Sequence, residues 1–296
     1  MSEWLDDTFN VSRADADLYV ERAGPKDAPV VYYLHGGPGY NSHSFRDLAG
    51  EDLEAYQVIY ADQRGGGRSY GSGSADLSVL ASDVAAVLNG LEVPQATLLA
   101  HGFGALVAVQ TALAFPELVN ALVLVNPWLS MPLLARDINR TAVRLTTGEG
   151  ADPADEQDDD GYTGEPAQLV DEAFSLVNPK NLFDALQFPS PSSRLRLEHS
   201  DADTLLGPSE EDEPVGVWLL DQLPHLAEVT QPIVVLVGRQ DGTAFPSQAE
   251  ATLQRLPEAL VSIVDAGHYP WIDDPEAFTP LLHEALAHVT DQYPPS

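Results

Sequence analysis

The sequence predicts an α/β fold: a mainly parallel sheet covered by helices on both faces, with a helical cap inserted. Two observations carry this reading. Short apolar runs bounded by turn residues alternate with segments of helical period, the pattern of a parallel sheet buried on both faces. That rhythm then breaks for about a hundred residues and resumes.

Core strands are expected at residues 30–34, 58–61, 96–100, 121–125, 233–238 and 261–264, with an antiparallel edge strand at 18–21. Helices are expected at 77–91, 104–115, 246–256 and 275–290. Leu106, Val107, Val109 and Leu113 make the second of these a largely apolar rod, as a helix against a sheet requires. From Trp128 to Val229 the chain turns richer in Pro, Asp, Glu and Ser, and no convincing strand can be seen. So long a structureless loop is improbable inside a domain, so 128–229 reads as a helical cap. Residues 1–127 and 230–296 then form the core. Within the cap, 167–176 and 182–186 read as short helices. The stretch 147–164 is expected to be mobile, because it has too little apolar surface to offset ordering entropy.

Composition narrows the function. The 296 residues are 44% hydrophobic and 8% aromatic, ample for a packed core. The complete lack of cysteine excludes disulfides, thiolate metal sites and a cysteine nucleophile. It suits a reducing cytoplasm. The first ten residues show no basic-then-apolar signal pattern, and no apolar run reaches the about 18 residues of a membrane span, so neither is expected. Forty-six acids against fourteen bases give a formal charge of −32, which argues against nucleic acid and anionic membranes as partners. The excess reads as a solvated acidic surface, or as a field that concentrates a cationic substrate.

The chemistry sits at strand ends. Thr97-Leu98-Leu99-Ala100-His101-Gly102-Phe103-Gly104-Ala105 is an apolar strand, a tight turn of small residues and a helix start. That is the frame of a nucleophile elbow, in which a serine is held up at the sheet's carboxyl edge. Here the position is Gly102. His35-Gly36-Gly37-Pro38-Gly39 follows the strand at 30–34, where glycines leave backbone N–H groups free to stabilise an oxyanion. Asp62-Gln63-Arg64-Gly65-Gly66-Gly67-Arg68-Ser69 closes the next strand. Asp241 and His268 follow two later strands, in the chain order of an acid and base that serve an elbow nucleophile.

The paired motifs closely resemble the proline iminopeptidase branch of the α/β-hydrolases, over residues 18–126 and 232–290. The chain looks most like the proteins called proline iminopeptidase-related. By that resemblance Asp241 orients His268, His268 is the general base, and Gly37 and Phe103 supply oxyanion-hole N–H groups, with Gly36 the other candidate. The substrate would be a small molecule or short peptide, and no cofactor is implied. His101 reads as packing. The family's Trp- and Glu-bearing cap segments do not align with 182–189 or with the residues that follow.

Glycine cannot form an acyl-enzyme, so hydrolysis of small amides or esters is expected to be slow or absent. Three histories fit: a natural member that no longer needs the serine, a serine removed to trap substrate, or a site in which His268 activates water. The alternatives are a non-catalytic small-ligand binding protein on the same scaffold and His268-driven lyase or proton-transfer chemistry. A dinucleotide fingerprint fails, because its third glycine falls on Val107 and Asn126 rather than an acid closes the following strand. A calcium loop at 156–161 fails because position twelve is Ala167. No His-Glu-x-x-His spacing occurs, and no metal site is expected.

Overall fold

A computed structural model describes residues 3–71, 76–148, 164–203 and 216–292. In chain order the strands are β1 (Trp4–Ser12), β2 (Ala16–Pro25), β3 (Val30–Leu34), β4 (Gln57–Ala61), β5 (Tyr70–Gly71), β6 (Ala96–His101), β7 (Val119–Val125), β8 (Ile233–Gly238) and β9 (Leu260–Val264). They form one sheet in the order β1-β2-β4-β3-β6-β7-β8-β9, with β5 paired to β2. From β4 to β9 every pairing is parallel, and β2 is antiparallel to its neighbours.

Side chains alternate across a strand, so an all-apolar run feeds two cores at once. Tyr32, Leu34, Ile59, Leu98, Leu122 and Val235 pack on one face with α2 (Leu77–Gly90) and α3 (Gly104–Ala114). Their neighbours Val31, Tyr33, Val58, Leu99, Val123 and Leu236 pack on the other with α1 (His43–Ala49), α9 (Pro270–Asp273) and α10 (Pro275–Gln292). Between β7 and β8 the described residues form α4 (Met131–Thr147), α5 (Pro166–Leu176), α6 (Pro179–Gln187), α7 (Pro191–Asp203) and two short 3-10 turns. Helix α8 (Ser247–Arg255) links β8 to β9.

Several elements differ from expectation. The edge strand runs from Ala16 to Pro25, because β1 pairs along it for nine residues and extends it. β1 itself is mostly exposed and carries Asp6 and Asp7; its order comes from pairing, not from a buried face of its own. α4 lies within 128–229, in a part of the expected helical cap where the sequence marks no individual helix. Its Leu134, Ala135, Ile138 and Ala142 face inward at helical spacing, and Gly148 ends it in the left-handed conformation. Thr147 is therefore helical, and residues 149–163 of the expected mobile stretch lie outside the described residues.

Gly104 lets α3 start hard against β3. A Cβ there would overlap the Leu34 carbonyl oxygen and stand 2.8 Å from that of His35. Alanine is the better helix former by about 1 kcal/mol at most, and overpacking costs about 1–3 kcal/mol, toward the upper end here because the atoms met are backbone. Gly104→Ala is thus expected to lower the urea midpoint, and an unchanged or higher midpoint would contradict this packing.

Candidate active site

Loops after β3, β6, β8 and β9 meet at the carboxyl edge of the sheet. Gly102 stands in the turn from β6 into α3 with φ +51. This is the left-handed region that glycine enters without strain. Its carbonyl accepts hydrogen bonds from Ala105 N at 3.1 Å and Trp128 N at 3.0 Å. A Cβ at this position would stand 3.2 Å from His268 Nε2 and 3.7 Å from Gly36 Cα. The three sequence motifs are therefore side by side.

His268 and Asp241 are both buried. His268 Nδ1 donates to Asp241 Oδ2 at 2.7 Å. A neutral ring with its proton on Nδ1 has a lone pair on Nε2, the nitrogen that faces residue 102. The second carboxylate oxygen accepts from the backbone N–H of Thr243 at 2.8 Å and from its hydroxyl. That hydroxyl in turn accepts from Trp128 Nε1 at 3.0 Å. The Trp128 ring stacks on the imidazole, with centroids 5.2 Å apart and planes inclined by 21°. The pair is hydrogen-bonded, walled and fixed in tautomer.

Phe103 follows the elbow directly and opens α3, where the first N–H groups of a helix have no intrahelical acceptor. Gly37, in the first loop, has φ +122. The turn after β4 anchors that loop. Asp62 accepts from Ser42 N and Ser42 Oγ, both at 2.8 Å, and from Arg68 N at 2.9 Å and Arg68 Nε at 2.7 Å. Burial works to raise the Asp62 pKa, but Arg68 outweighs it and the net shift is downward. His35 Nε2 accepts from Gln63 N at 2.8 Å, and burial lowers its pKa. The Asp-Gln-Arg-Gly-x-Gly-Arg-Ser motif thus acts as a brace for the glycine loop.

His101 donates from Nε2 to the His268 carbonyl at 2.9 Å, and its ring packs 4.3 Å from that of His268. Burial first, then the neighbouring His268, push its pKa well below the ordinary histidine value. Helix α6 touches both dyad loops through its last carbonyls, which lack intrahelical donors. Leu186 O accepts from Gly242 N and Gln187 O from His268 N, each at 2.8 Å. A cavity of about 520 Å³ lies between α6, α7 and the first loop, lined by Tyr40, Asn41, Phe183, Gln187, Phe188 and Tyr269 among others. Its cations are paired: Lys180 and Arg194 each bridge to Asp184 and Glu198. Among the described residues no group of three or more His, Asp or Glu side chains could hold a metal ion, and none of the helices is long and apolar enough to cross a membrane.

Sequence reasoning missed Trp128, Thr243 and Asn126. The available signal is positional: Asn126 closes an apolar strand at the sheet edge that holds the site, and Thr243 sits two residues past Asp241.

Residues 29–275 match the model of the alpha/beta hydrolase fold family. The "Putative carbamate hydrolase RutD" of Escherichia coli is 28% identical over 268 residues, 88% of this chain and 92% of that one. Among solved structures, a proline iminopeptidase-related protein from Thermus thermophilus is 36% identical, with a TM-score of 0.82 over 96% of this chain and 98% of its own. Proline iminopeptidase of Mycobacterium smegmatis, at 19% identity and a TM-score of 0.70 over 96% and 98%, shares the fold. The chain is a member of the alpha/beta hydrolase family, similar to its proline iminopeptidase-related proteins.

Proposed function

We propose that this protein follows the plan of a hydrolase for small amides or esters, of the proline iminopeptidase-related kind, with glycine at the nucleophile position. The observation that carries the reading is the buried Asp241–His268 pair, bonded at 2.7 Å, with His268 Nε2 turned to residue 102. Asp241 orients the imidazole and His268 is the base. Gly37 and Phe103, with Gly36 the other loop donor, offer N–H groups to the oxyanion. Residues 128–229 act as a cap, supported by the α6 contacts to both dyad loops.

Without a serine, an acyl-enzyme cannot form, and the remaining route is water. His268 Nε2 takes a proton from a water as its oxygen attacks the substrate carbonyl. The oxyanion then collapses, the leaving group departs with the proton from His268, and an acid is left. In a well-studied protease the oxyanion hole and binding alone leave about 10³–10⁴-fold acceleration over water once the triad is broken, so His268 acting as base on water is expected to lift turnover above that floor. The test is a panel of p-nitrophenyl esters, carbamates, and aminoacyl and prolyl arylamides. Slow turnover that falls by about 10²-fold or more in His268→Ala supports the reading; turnover unaffected by that change overturns it.

A second reading rests on the cavity of about 520 Å³ and its aromatic lining: a binding protein that holds a small ligand without chemistry. It predicts saturable binding of a panel member with no turnover, even after serine is introduced at position 102.

A further inference from the structure

Asn126 closes β7 at the edge where the dyad loops meet. It is fully buried, with φ +45, a backbone region open to asparagine more than to most residues. Its side-chain amide uses both N–H donors and one lone pair of its oxygen. Oδ1 accepts from Gly238 N at 2.7 Å, while Nδ2 donates to Gly267 O at 3.0 Å and His268 O at 2.9 Å. The orientation is fixed by these partners, because a flipped amide would set NH₂ against an N–H and oxygen against two carbonyls.

These bonds close a circuit. Asn126 holds Gly238 N, and Asp241 N donates back to Gly238 O at 3.1 Å. Asp241 accepts from His268 Nδ1, and the His268 carbonyl returns to Asn126. Gly238 begins the loop of one dyad member, and Gly267-His268 is the loop of the other. The two loops follow different strands, and Asn126 is a side chain that bonds both. His101 Nε2 takes the remaining side of the His268 carbonyl, and Gln187 O holds its N–H. The His268 backbone is thus fixed from three elements, while its ring carries the chemistry.

We infer that Asn126 is a positioning residue for the dyad: it locks the Asp241 turn and the His268 backbone in register, so that Nε2 stays aimed at residue 102. The inference rests on the proposed role of the pair. Asn126 touches neither the reacting atoms nor the cavity, so no sequence motif marks it.

Two variants separate its bonds. Asn126→Gly keeps the left-handed backbone and removes the whole amide. Asn126→Asp is nearly isosteric, keeps an acceptor for Gly238 N, and turns an oxygen toward the two carbonyls. The first readout needs no activity. In the unaltered chain the His268 Nδ1–H bonded to Asp241 should give a protected, slowly exchanging proton signal by NMR. In both variants that signal is expected to be lost, or to exchange at least about tenfold faster, in protein that still melts cooperatively.

The second readout is kinetic and uses the Gly102→Ser background with a p-nitrophenyl ester. There each Asn126 variant is expected to lower kcat by about 10²-fold, as misplacement near 1 Å does, with KM little changed. A folded variant with the His268 proton as protected as before would overturn the inference, as would a change confined to melting temperature. If neither variant folds, the unaltered chain decides. Gly238 N–H and His268 Nδ1–H should then exchange together as denaturant is added, and independent rates would overturn the coupling. Absence of any turnover in Gly102→Ser, with the His268 proton still dependent on Asn126, would count against the proposed function and leave the positioning role standing.

Discussion

Serine at position 102 is expected to raise ester turnover at least about 10³-fold and to introduce a burst of acyl-enzyme. The expectation follows from the size of the serine's contribution in triads, where its removal alone costs about 2 × 10⁶ in kcat. A lower figure is set here because the site is tight. A Cβ would stand 3.2 Å from His268 Nε2 and 3.4 Å from Cε1, so the imidazole must retreat by a few tenths of an ångström. It is held by Asp241 and walled by Trp128. The same change should cost stability, because a side chain at φ +51 is strained by about 1–3 kcal/mol where glycine is not. Activity and stability should therefore move in opposite directions. A Gly102→Ser protein with no burst and no gain in rate, measured by stopped flow, would leave the pair without its assigned partner.

Acid should destabilise the protein through its buried histidines. His35 and His101 both have pKa values lowered by burial, His101 well below the ordinary value. Unfolded, each takes up a proton below about pH 6.5; folded, each resists it. The unfolded state then binds more protons, so the stability of the native state is full above about pH 6.5 and declines as pH falls toward the folded values. The loss is at most about 1.4 kcal/mol per pH unit for each histidine, and it is larger for His101, which is pushed further below the ordinary value than His35. Most carboxylates titrate below this window, so relief of the −32 charge does not mask it. Urea midpoints at about pH 7.5 and about pH 5.5, either side of the ordinary histidine value, measure the slope. His101→Gln, whose amide can still donate to the His268 carbonyl, should remove the larger part of it. Equal stability at both pH values would contradict the assignment of two neutral, buried histidines.

The parallel core was legible because all-apolar runs in β3, β4, β6, β7 and β8 reflect burial on both faces, which leaves little else for such sequences to be. Elements whose order comes from partners were not. Most of β1 is exposed, and its pairing with β2 is a tertiary fact. In α7 the positions Ser193, Leu197 and Ser200 are buried. Their spacing is helical, but two are small and polar, so no hydrophobic period announces the helix. In α4 the period is present, but its inward face is diluted by the buried polar residues Asp137, Asn139 and Thr141. The site follows the same division. Gly102, Asp241 and His268 are marked by turns after strands, whereas Asn126, Thr243 and Trp128 act through contacts made across the sheet edge, more than 100 residues apart in every case.

In the proposed site, residue 102 is a nucleophile position served by His268. The most direct test of that role is the intact mass of the protein after reaction with a p-nitrophenyl phosphonate, a reagent that marks an activated serine. Gly102→Ser should acquire a single phosphonyl group, located to residue 102 by peptide mapping, and the unaltered chain should remain unmarked. Adding His268→Ala to the serine variant should abolish the adduct. A serine variant that stays unmarked, or that reacts as well without His268, would contradict the account.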